Sequence, residues 1–449
     1  MFEILFIGLF ILGYLMIAME HPLKINKTAT ALVMGTGLWV LYRYALPAFE
    51  AGISPEVIVP TVESQLMETV GEIGETILLL LGAMTIVQVV DFHGGFSYVA
   101  DVITTRDKRK LLWAIAGFTF VLSAVLDNMT TTIVMIMILR RIVGDRDLRL
   151  FYAGMTVIAA NEGGAFSPIG DVTTIMLWVN GNVTAGSIVP MLLIPSIVSI
   201  LLPLLIATPF LHGEVTPPED TLVSAEEEEL AELQHRMTGR EKLIILALGV
   251  SVLLLTPVFK AVTHLPPFLA MLGGLGVIWG YTDIFYRRKR KYIKEGLMRH
   301  VSLVVQTVDI STLLFFFGIL MSVKTLELTG ILSSLATHLE VLGLEVQSFL
   351  IGAASSLVDN VPLVAASMGM YKIDPASTQL CVDGEFWNLI AFCAGTGGSL
   401  LIIGSAAGVI MMGLEKVSFA WYMRRITPLA VLGYIAGFAI LILQTALMS

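Results

Sequence analysis

The sequence predicts an all-α polytopic membrane protein built from two inverted repeats. Each repeat is expected to have about five crossings, including one interrupted helix, plus one re-entrant hairpin. The composition supports a membrane protein, because 56% of the 449 residues are hydrophobic and only 14% are charged, whereas soluble domains carry about 25% charged residues. The apolar segments are long continuous runs, which excludes a barrel of ~10-residue alternating strands. The repeats are indicated by a motif that occurs in both halves.

The first copy of this motif lies in an apolar run at residues 111–141, broken at its middle by Asp127 and Asn128. The run is too long for one crossing and too short for two, since a spanning helix needs ~20 apolar residues. Basic clusters flank it on both sides, and such clusters mark the cytoplasmic face. We therefore predict a re-entrant hairpin that enters from the cytoplasm and turns near the membrane centre. A carboxylate at that depth is costly and indicates a functional site.

The second copy lies at residues 346–371, with Asp359 and Asn360 at the break. Its flanks carry Glu340 and Glu345 and no basic cluster before the hairpin, which favours entry from the outside. Further correspondences place three glycines of the first half 234 positions before three of the second: Gly163, Gly164 and Gly170 before Gly397, Gly398 and Gly404. A constant offset with opposite flanking charge indicates an inverted duplication.

The remaining apolar runs define the crossings and the domain organisation. The first repeat is expected at residues 1–211, a cytoplasmic linker at 212–242, and the second repeat at 243–449. Basic residues before the second crossing and at 287–294 place both of those connections inside the cell. The predicted crossings are 2–20, 28–46, 76–91, 150–180 (interrupted), 188–211, 243–261, 267–286, 301–323, 386–412 (interrupted) and 426–447.

The interrupted crossings are where we expect a bound ion. Three glycines and a proline break the segment 150–180, which frees backbone carbonyls. Asn161, Asp171, Thr173 and Thr174 add side-chain oxygens. This set suits a small hard cation. The matching segment 386–412 supplies glycines and hydroxyls but no acid. The alternative is that the glycines only allow close helix packing.

Three other acids are candidates at or near membrane depth. Asp309 lies within the predicted crossing 301–323, and Glu72 and Glu75 begin the predicted crossing 76–91. For Asp309 the alternative is a buried acid that fixes helix packing through hydrogen bonds. For the two glutamates it is a solvated position at the membrane interface.

These acids suggest ion exchange by alternating access. Burial raises the pKa of a carboxyl group and a nearby cation lowers it again, so a proton and a cation exclude each other at one group. If the carrier reorients only when Asp127 and Asp171 are neutralised, exchange follows. No phosphate-binding loop follows a strand pattern. We therefore expect a transporter that is not an enzyme, with no cofactor and no nucleic-acid partner.

The motifs VLDNMTTTIVM, NEGGAFSPIGDVTT and SSLVDNVPL resemble those of the NhaD-type sodium/proton antiporters of the ion-transporter superfamily. The resemblance covers nearly the whole chain. It implies exchange of Na⁺ or Li⁺ for H⁺, an elevator-like carrier, a homodimer, and a multi-pass location in a bacterial inner membrane. At matching positions it favours Asp127, Asn128, Asn161, Asp171, Thr173, Thr174, Asp309, Ser355, Asn360 and Ser399. We expect the first six of these to bind Na⁺.

The nearest alternative is a sodium- or proton-coupled organic-anion carrier of the dicarboxylate type. Such a carrier would need a basic residue in its site, and no Arg or Lys lies within 111–139 or 346–371. The dicarboxylate relatives have a Ser-Asn-Thr signature at each hairpin tip, whereas both tips here have Asp-Asn. A passive channel and an intramembrane protease that uses Asp127 and Asp359 are further alternatives. An acidic residue in place of a hydroxyl residue at each hairpin tip favours a cation as the substrate.

Overall fold

The fold is described from a computed structural model that covers residues 2–19, 23–49, 54–95, 105–216, 237–289, 301–357 and 360–448. Within these ranges the chain is helical, and six helices are long and apolar enough to cross a membrane. A multi-pass membrane protein is therefore confirmed, while five crossings in each repeat stay a prediction. Asp359 and most of the predicted linker lie outside the described residues.

The first half contains eight described helices, several of which begin at a side-chain cap. Asp107, Asp127 and Asp145 each accept a hydrogen bond from a backbone N–H one turn into the helix that follows, as N-cap residues do. The described helices of the first half are α1 (Phe2–Ala18), α2 (Lys27–Phe49), α3 (Pro55–Phe92), α4 (Lys108–Ser123), α5 (Asn128–Ile142), α6 (Arg146–Ala165), α7 (Val172–Val179) and α8 (Ala185–Ala207).

The second half contains ten described helices that we number in continuation. They are α9 (Gly239–Thr263), α10 (Pro267–Lys289), α11 (Ile310–Leu328), α12 (Ile331–Leu339), α13 (Leu344–Ala354), α14 (Asn360–Met370), α15 (Glu385–Gly397), α16 (Ala406–Glu415), α17 (Phe419–Arg425) and α18 (Thr427–Met448). A short helical turn, Val301–Val304, precedes α11.

The helices pack into two groups. Helices α4–α8 and α13–α18 contact one another extensively, and we call them the site bundle. Helices α1–α3 and α9–α12 form the flanking bundle. The two bundles meet mainly where α11 and α12 contact α14 and where α3 contacts α7. Both halves of the sequence contribute to each bundle.

Both predicted hairpin segments are helix pairs with a break at the predicted position. Helices α4 and α5 are separated at residues 124–127, while α13 ends at Ala354, residues 355–357 are not helical, and α14 begins at Asn360. The predicted interruptions are also present, between α6 and α7 and between α15 and α16. The breaks are therefore confirmed, whereas the re-entrant path of each pair in a membrane stays a prediction.

The two halves repeat the same packing of hairpin against broken helix. The Ser123 hydroxyl donates to the carbonyl oxygen of Ala160 at 2.5 Å, and Ser355 donates to that of Ala394 at 3.1 Å. Gly163 packs against the backbone of the first hairpin, because a Cβ there would collide with the Phe120 carbonyl oxygen. Gly397 packs in the same way against Gly352. The matched contacts agree with an internal duplication, and its inversion stays a prediction.

Two helices begin at other residues than the crossings predicted for them, 301–323 and 76–91. Asp309 does not lie inside a helix, because α11 begins at Ile310 and the Asp309 carboxylate accepts from the Thr312 N–H at 3.2 Å. Apolar residues on both sides of Asp309 hide this start in the sequence. Glu72 and Glu75 do not begin a helix, because α3 extends from Pro55. A hydropathy boundary is therefore not a helix boundary.

The close contact between Gly163 and Phe120 predicts that alanine destabilises the protein at Gly163 but not at Gly117. Gly163→Ala should lower the free energy of unfolding by about 1–3 kcal/mol, as overpacking does, because its neighbour is a backbone atom that cannot rotate away. Gly117 lies in the same hairpin with no atom within 4 Å of an added Cβ. Gly117→Ala is the control and should retain or slightly raise stability. Thermal unfolding of the purified variants measures both, and equal melting temperatures would contradict the packing argument.

Candidate functional site

The candidate site lies where the two broken helices and the two hairpin tips meet inside the site bundle. At its centre is Asp171, which is 2% exposed and caps α7. Its Oδ1 accepts hydrogen bonds from the backbone N–H of Thr173 at 2.9 Å and from the Thr173 hydroxyl at 2.8 Å. The Thr174 hydroxyl donates to the Asp171 carbonyl oxygen at 2.9 Å. Groups in the first turn of α7 therefore fix the position of the Asp171 carboxylate.

Both hairpin tips reach this carboxylate through an asparagine. The Asn128 amide nitrogen lies 2.7 Å from Asp171 Oδ2. The Asn360 amide nitrogen lies 3.4 and 3.5 Å from the two carboxylate oxygens. The two asparagines hold matching positions in the Asp-Asn motifs. One carboxylate thus connects the tips of both hairpins.

Asn161 of α6 joins the two broken helices. Its Oδ1 accepts from the Asn128 amide at 3.1 Å. Its own amide nitrogen donates to the hydroxyl oxygens of Ser399 at 2.8 Å and Ser405 at 3.0 Å. All three side chains are at least 98% buried. The hydrogen bonds run without interruption from the first hairpin to the break between α15 and α16.

Ser405 is a site residue that our sequence analysis did not select. It caps α16 through the Gly408 N–H, at 3.2 Å, and its backbone angles (φ −143°, ψ 156°) match those of Asp171 (φ −143°, ψ 148°). The two residues are also 234 positions apart. The matching glycines of the two halves are separated by the same 234 positions, so adding this offset to Asp171 would have identified Ser405. The second repeat places a hydroxyl where the first places an acid.

Asp127 and Ser355 lie next to the cluster but bond elsewhere. The Asp127 carboxylate is half-buried and accepts from the Thr130 N–H and hydroxyl, each at 2.7 Å. Ser355 donates to the carbonyl oxygens of Gly352 and Ala394, which fixes the second hairpin against α15. Of the six predicted Na⁺ ligands, the structure therefore brings together Asn128, Asn161, Asp171, Thr173 and Thr174. Asp127 lies one residue away, with its oxygens turned to its own helix.

The other candidate acids lie away from the cluster. Asp309 is exposed at the start of α11. Glu72 forms an ion pair with Lys324 at 3.2 Å. Glu75 interacts electrostatically with Lys260 of α9.

A cavity of about 350 Å³ lies between the two bundles. Its wall includes Glu72 and Thr76 of α3, Lys324 and Glu327 of α11, and Met176 of α7. Met176 is one helical turn past the Asp171 cap. The cavity therefore connects the acids of the flanking bundle with the element that begins at the site.

The cluster provides oxygen ligands. Its hydrogen bonds join carboxylate, amide, hydroxyl and backbone N–H groups. Carboxylate, amide and hydroxyl oxygens are the ligands that hard cations prefer. An anionic substrate would meet the like charge of the Asp171 carboxylate.

Comparisons with known proteins agree with a transporter. The model of a family described as citrate transporters matches residues 14–382. Sodium/proton antiporter 2 of Arabidopsis thaliana is 41% identical over 96% of this chain and 96% of its own length. Sodium/proton antiporter 1 of the same plant is 42% identical over 96% of this chain and 70% of its own length. The Na⁺/H⁺ antiporter NhaD of Vibrio cholerae is 29% identical over 96% of this chain and 89% of its own length. The chain therefore belongs to the ion-transporter superfamily, in the family that includes the NhaD-type sodium/proton antiporters.

Proposed function

We propose that the protein exchanges Na⁺ for H⁺ across a membrane, with Asp171 as the group that binds the two ions in turn. The observation that supports this most strongly is the buried Asp171 carboxylate at the meeting point of both hairpin tips. The relatives named as antiporters support the same ion pair. Li⁺ as a second substrate and a homodimer stay predictions. Plant as well as bacterial relatives match, so the bacterial inner membrane stays a prediction too.

The chemistry of exchange follows from competition at one carboxyl group. A buried carboxyl favours the protonated form, and a bound cation favours the ionised form. The amides of Asn128, Asn161 and Asn360 rotate about their last torsion at little cost, because such torsions are broad. Asn128 and Asn360 can therefore present nitrogen to the unoccupied carboxylate and oxygen to Na⁺, and Asn161 can present its oxygen. Thr173, Thr174, Ser399 and Ser405 complete the proposed ligand set.

Alternating access is proposed to come from movement of the site bundle against the flanking bundle. Asn128, Asn360 and Asp171 lie at three chain breaks of the site bundle, and Asn161 lies beside them on α6, so the site would move as a unit. The bundles contact each other along α11–α14 and α3–α7, and a cavity lies between them. This arrangement is compatible with an elevator-like carrier. In that case neutralising Asp171 with either ion would permit the movement.

The second candidate, transport of an organic anion, is favoured by the description of the matching family as citrate transporters. The buried Asp171 carboxylate at the centre of the cluster opposes it, because an ionised acid repels an anion. Reconstituted vesicles separate the two functions. Antiport predicts Na⁺-dependent proton movement without citrate, whereas accumulation of labelled citrate would contradict our assignment.

The role of Asp171 predicts that Asp171→Asn abolishes exchange. Asn can still cap α7 but cannot bind a proton or supply a negative charge. Dequenching of a pH-sensitive dye in everted vesicles after addition of NaCl measures the effect. Asp374→Asn is the control, because Asp374 is exposed and its carboxylate accepts from the Ala376 N–H in its own turn. Wild-type dequenching in Asp171→Asn would overturn the assignment.

Asp127 is expected to contribute charge without exchanging ions itself. Asp127→Asn retains the α5 cap and removes a negative charge next to Asn128. At an effective dielectric constant of ~20, a unit charge within 10 Å changes cation affinity by about tenfold or more. The Na⁺ concentration for half-maximal exchange should therefore rise by at least about tenfold, with exchange recovering at saturating Na⁺. Complete loss at all Na⁺ concentrations would instead assign Asp127 to ion exchange.

A further inference from the structure

Lys260 is a basic residue of the flanking bundle that contacts a broken helix of the site bundle. It lies in the last turn of α9 and is half-buried. Its ammonium group donates hydrogen bonds to the carbonyl oxygens of Trp178 and, at 3.4 Å, of Val179. The same group lies 4.8 Å from the centroid of the Trp178 ring, which is close enough for a cation–π contact. Lys260 therefore binds the backbone and a side chain of α7.

These contacts cap the C-terminal end of α7. The last carbonyl groups of a helix have no partner within the helix, and the helix dipole gives this end a partial negative charge. A lysine ammonium group supplies both a donor and a positive charge. Trp178 is 2% exposed, so the ring that Lys260 contacts is held by packing. Glu75 of α3 interacts electrostatically with Lys260 and attracts the ammonium group towards its own bundle.

Helix α7 connects this cap to the ion site. It has eight residues and begins directly after Asp171. Trp178 is seven residues past Asp171, about 10 Å along the helix axis. A hydrogen-bonded helix of two turns is stiff over that length, so a contact that fixes Trp178 also limits where Asp171 can lie. Lys260 acts on the ion site through this helix.

The corresponding helix of the second repeat, α16, is capped from within its own bundle. Arg140 of α5 donates to the Leu414 carbonyl oxygen and pairs with the Glu415 carboxylate at 2.8 Å. Leu414 lies 234 positions after Asn180, the C-cap residue of α7. Both half-helices thus end at a basic side chain. The cap from Arg140 stays inside the site bundle, whereas the cap from Lys260 crosses the boundary between the bundles.

We propose that Lys260 is a positioning residue that holds α7, and with it the site bundle, against the flanking bundle in one of the two access states. This inference rests on the proposed function, in which the bundles move relative to each other. The movement separates α9 from α7, so the contact exists in a capped state and is broken in an uncapped state. A hydrogen bond from a charged group favours the capped state by about tenfold.

The populations of these states determine the apparent Na⁺ affinity at each face of the membrane. A binding-competent state that is only partly populated raises the apparent Kd by the inverse of its population. The ratio of the apparent Kd values at the two faces therefore follows the ratio of the two states. Loss of the cap should raise the apparent Kd at the face to which the capped state opens and lower it at the other face.

Side-resolved exchange measurements test this proposal. The Na⁺ concentration for half-maximal proton movement is measured in everted and in right-side-out membrane vesicles. Lys260→Met removes the charge and the donor but keeps an unbranched side chain over Trp178. The two half-maximal concentrations should change in opposite directions, and their ratio should change by about tenfold. Lys260→Arg keeps a charged donor and should retain the wild-type ratio.

Two further variants complete the experiment. Lys260→Gln keeps a neutral donor, so it should change the ratio in the same direction as Lys260→Met but by less. Arg140→Met is the matched control, because it removes a basic cap that does not cross between the bundles. It should lower the melting temperature, and any change in the half-maximal Na⁺ concentration should have the same sign at both faces.

If both Lys260 variants change the half-maximal concentration equally at the two faces, or leave it unchanged, the residue has only a structural role. That result would overturn the inference while leaving antiport intact. If instead the wild type moves no protons in response to Na⁺ in either type of vesicle, the proposed function fails and the inference fails with it.

Discussion

The contact on which the rest of the site depends is the one between the Asp171 carboxylate and the amides of Asn128 and Asn360. It joins the tips of two hairpins from opposite halves of the chain, and α7 begins at the same residue. The charge of this single carboxyl group therefore affects three backbone breaks at once. A change from proton to Na⁺ alters what both tips bind, which is how ion binding could control a movement of the whole bundle.

The second half of the chain supplies the polar environment of this acid but no matching charge in the described cluster. Ser405 occupies the position that corresponds to Asp171, and its hydroxyl accepts from Asn161. A second acid there would place two like charges in a small buried volume, where each would disfavour ionisation of the other. The duplication thus provides symmetric geometry, and the asymmetry of charge suits a monovalent cation.

The sequence was sufficient to predict the helical class, the four chain breaks, and the grouping of Asn128, Asn161 and Asp171, because broken apolar runs and polar residues at the breaks are local features. It was not sufficient to separate Asp127 from Asn128. These neighbours differ in which way their side chains point at a helix start: Asp127 turns to its own cap and Asn128 to the cluster. Asp309 was misplaced because a cap between two apolar stretches has no hydropathy signal.

The most direct test of the central claim is the Na⁺ affinity of the purified protein as a function of pH. Competition of Na⁺ and H⁺ for Asp171 predicts that the Kd for Na⁺ rises by about tenfold for each unit of falling pH once the carboxyl group is protonated. Asp171→Asn should abolish this dependence together with high-affinity binding. A Kd for Na⁺ that stays constant across the pH range in the wild type would contradict the account.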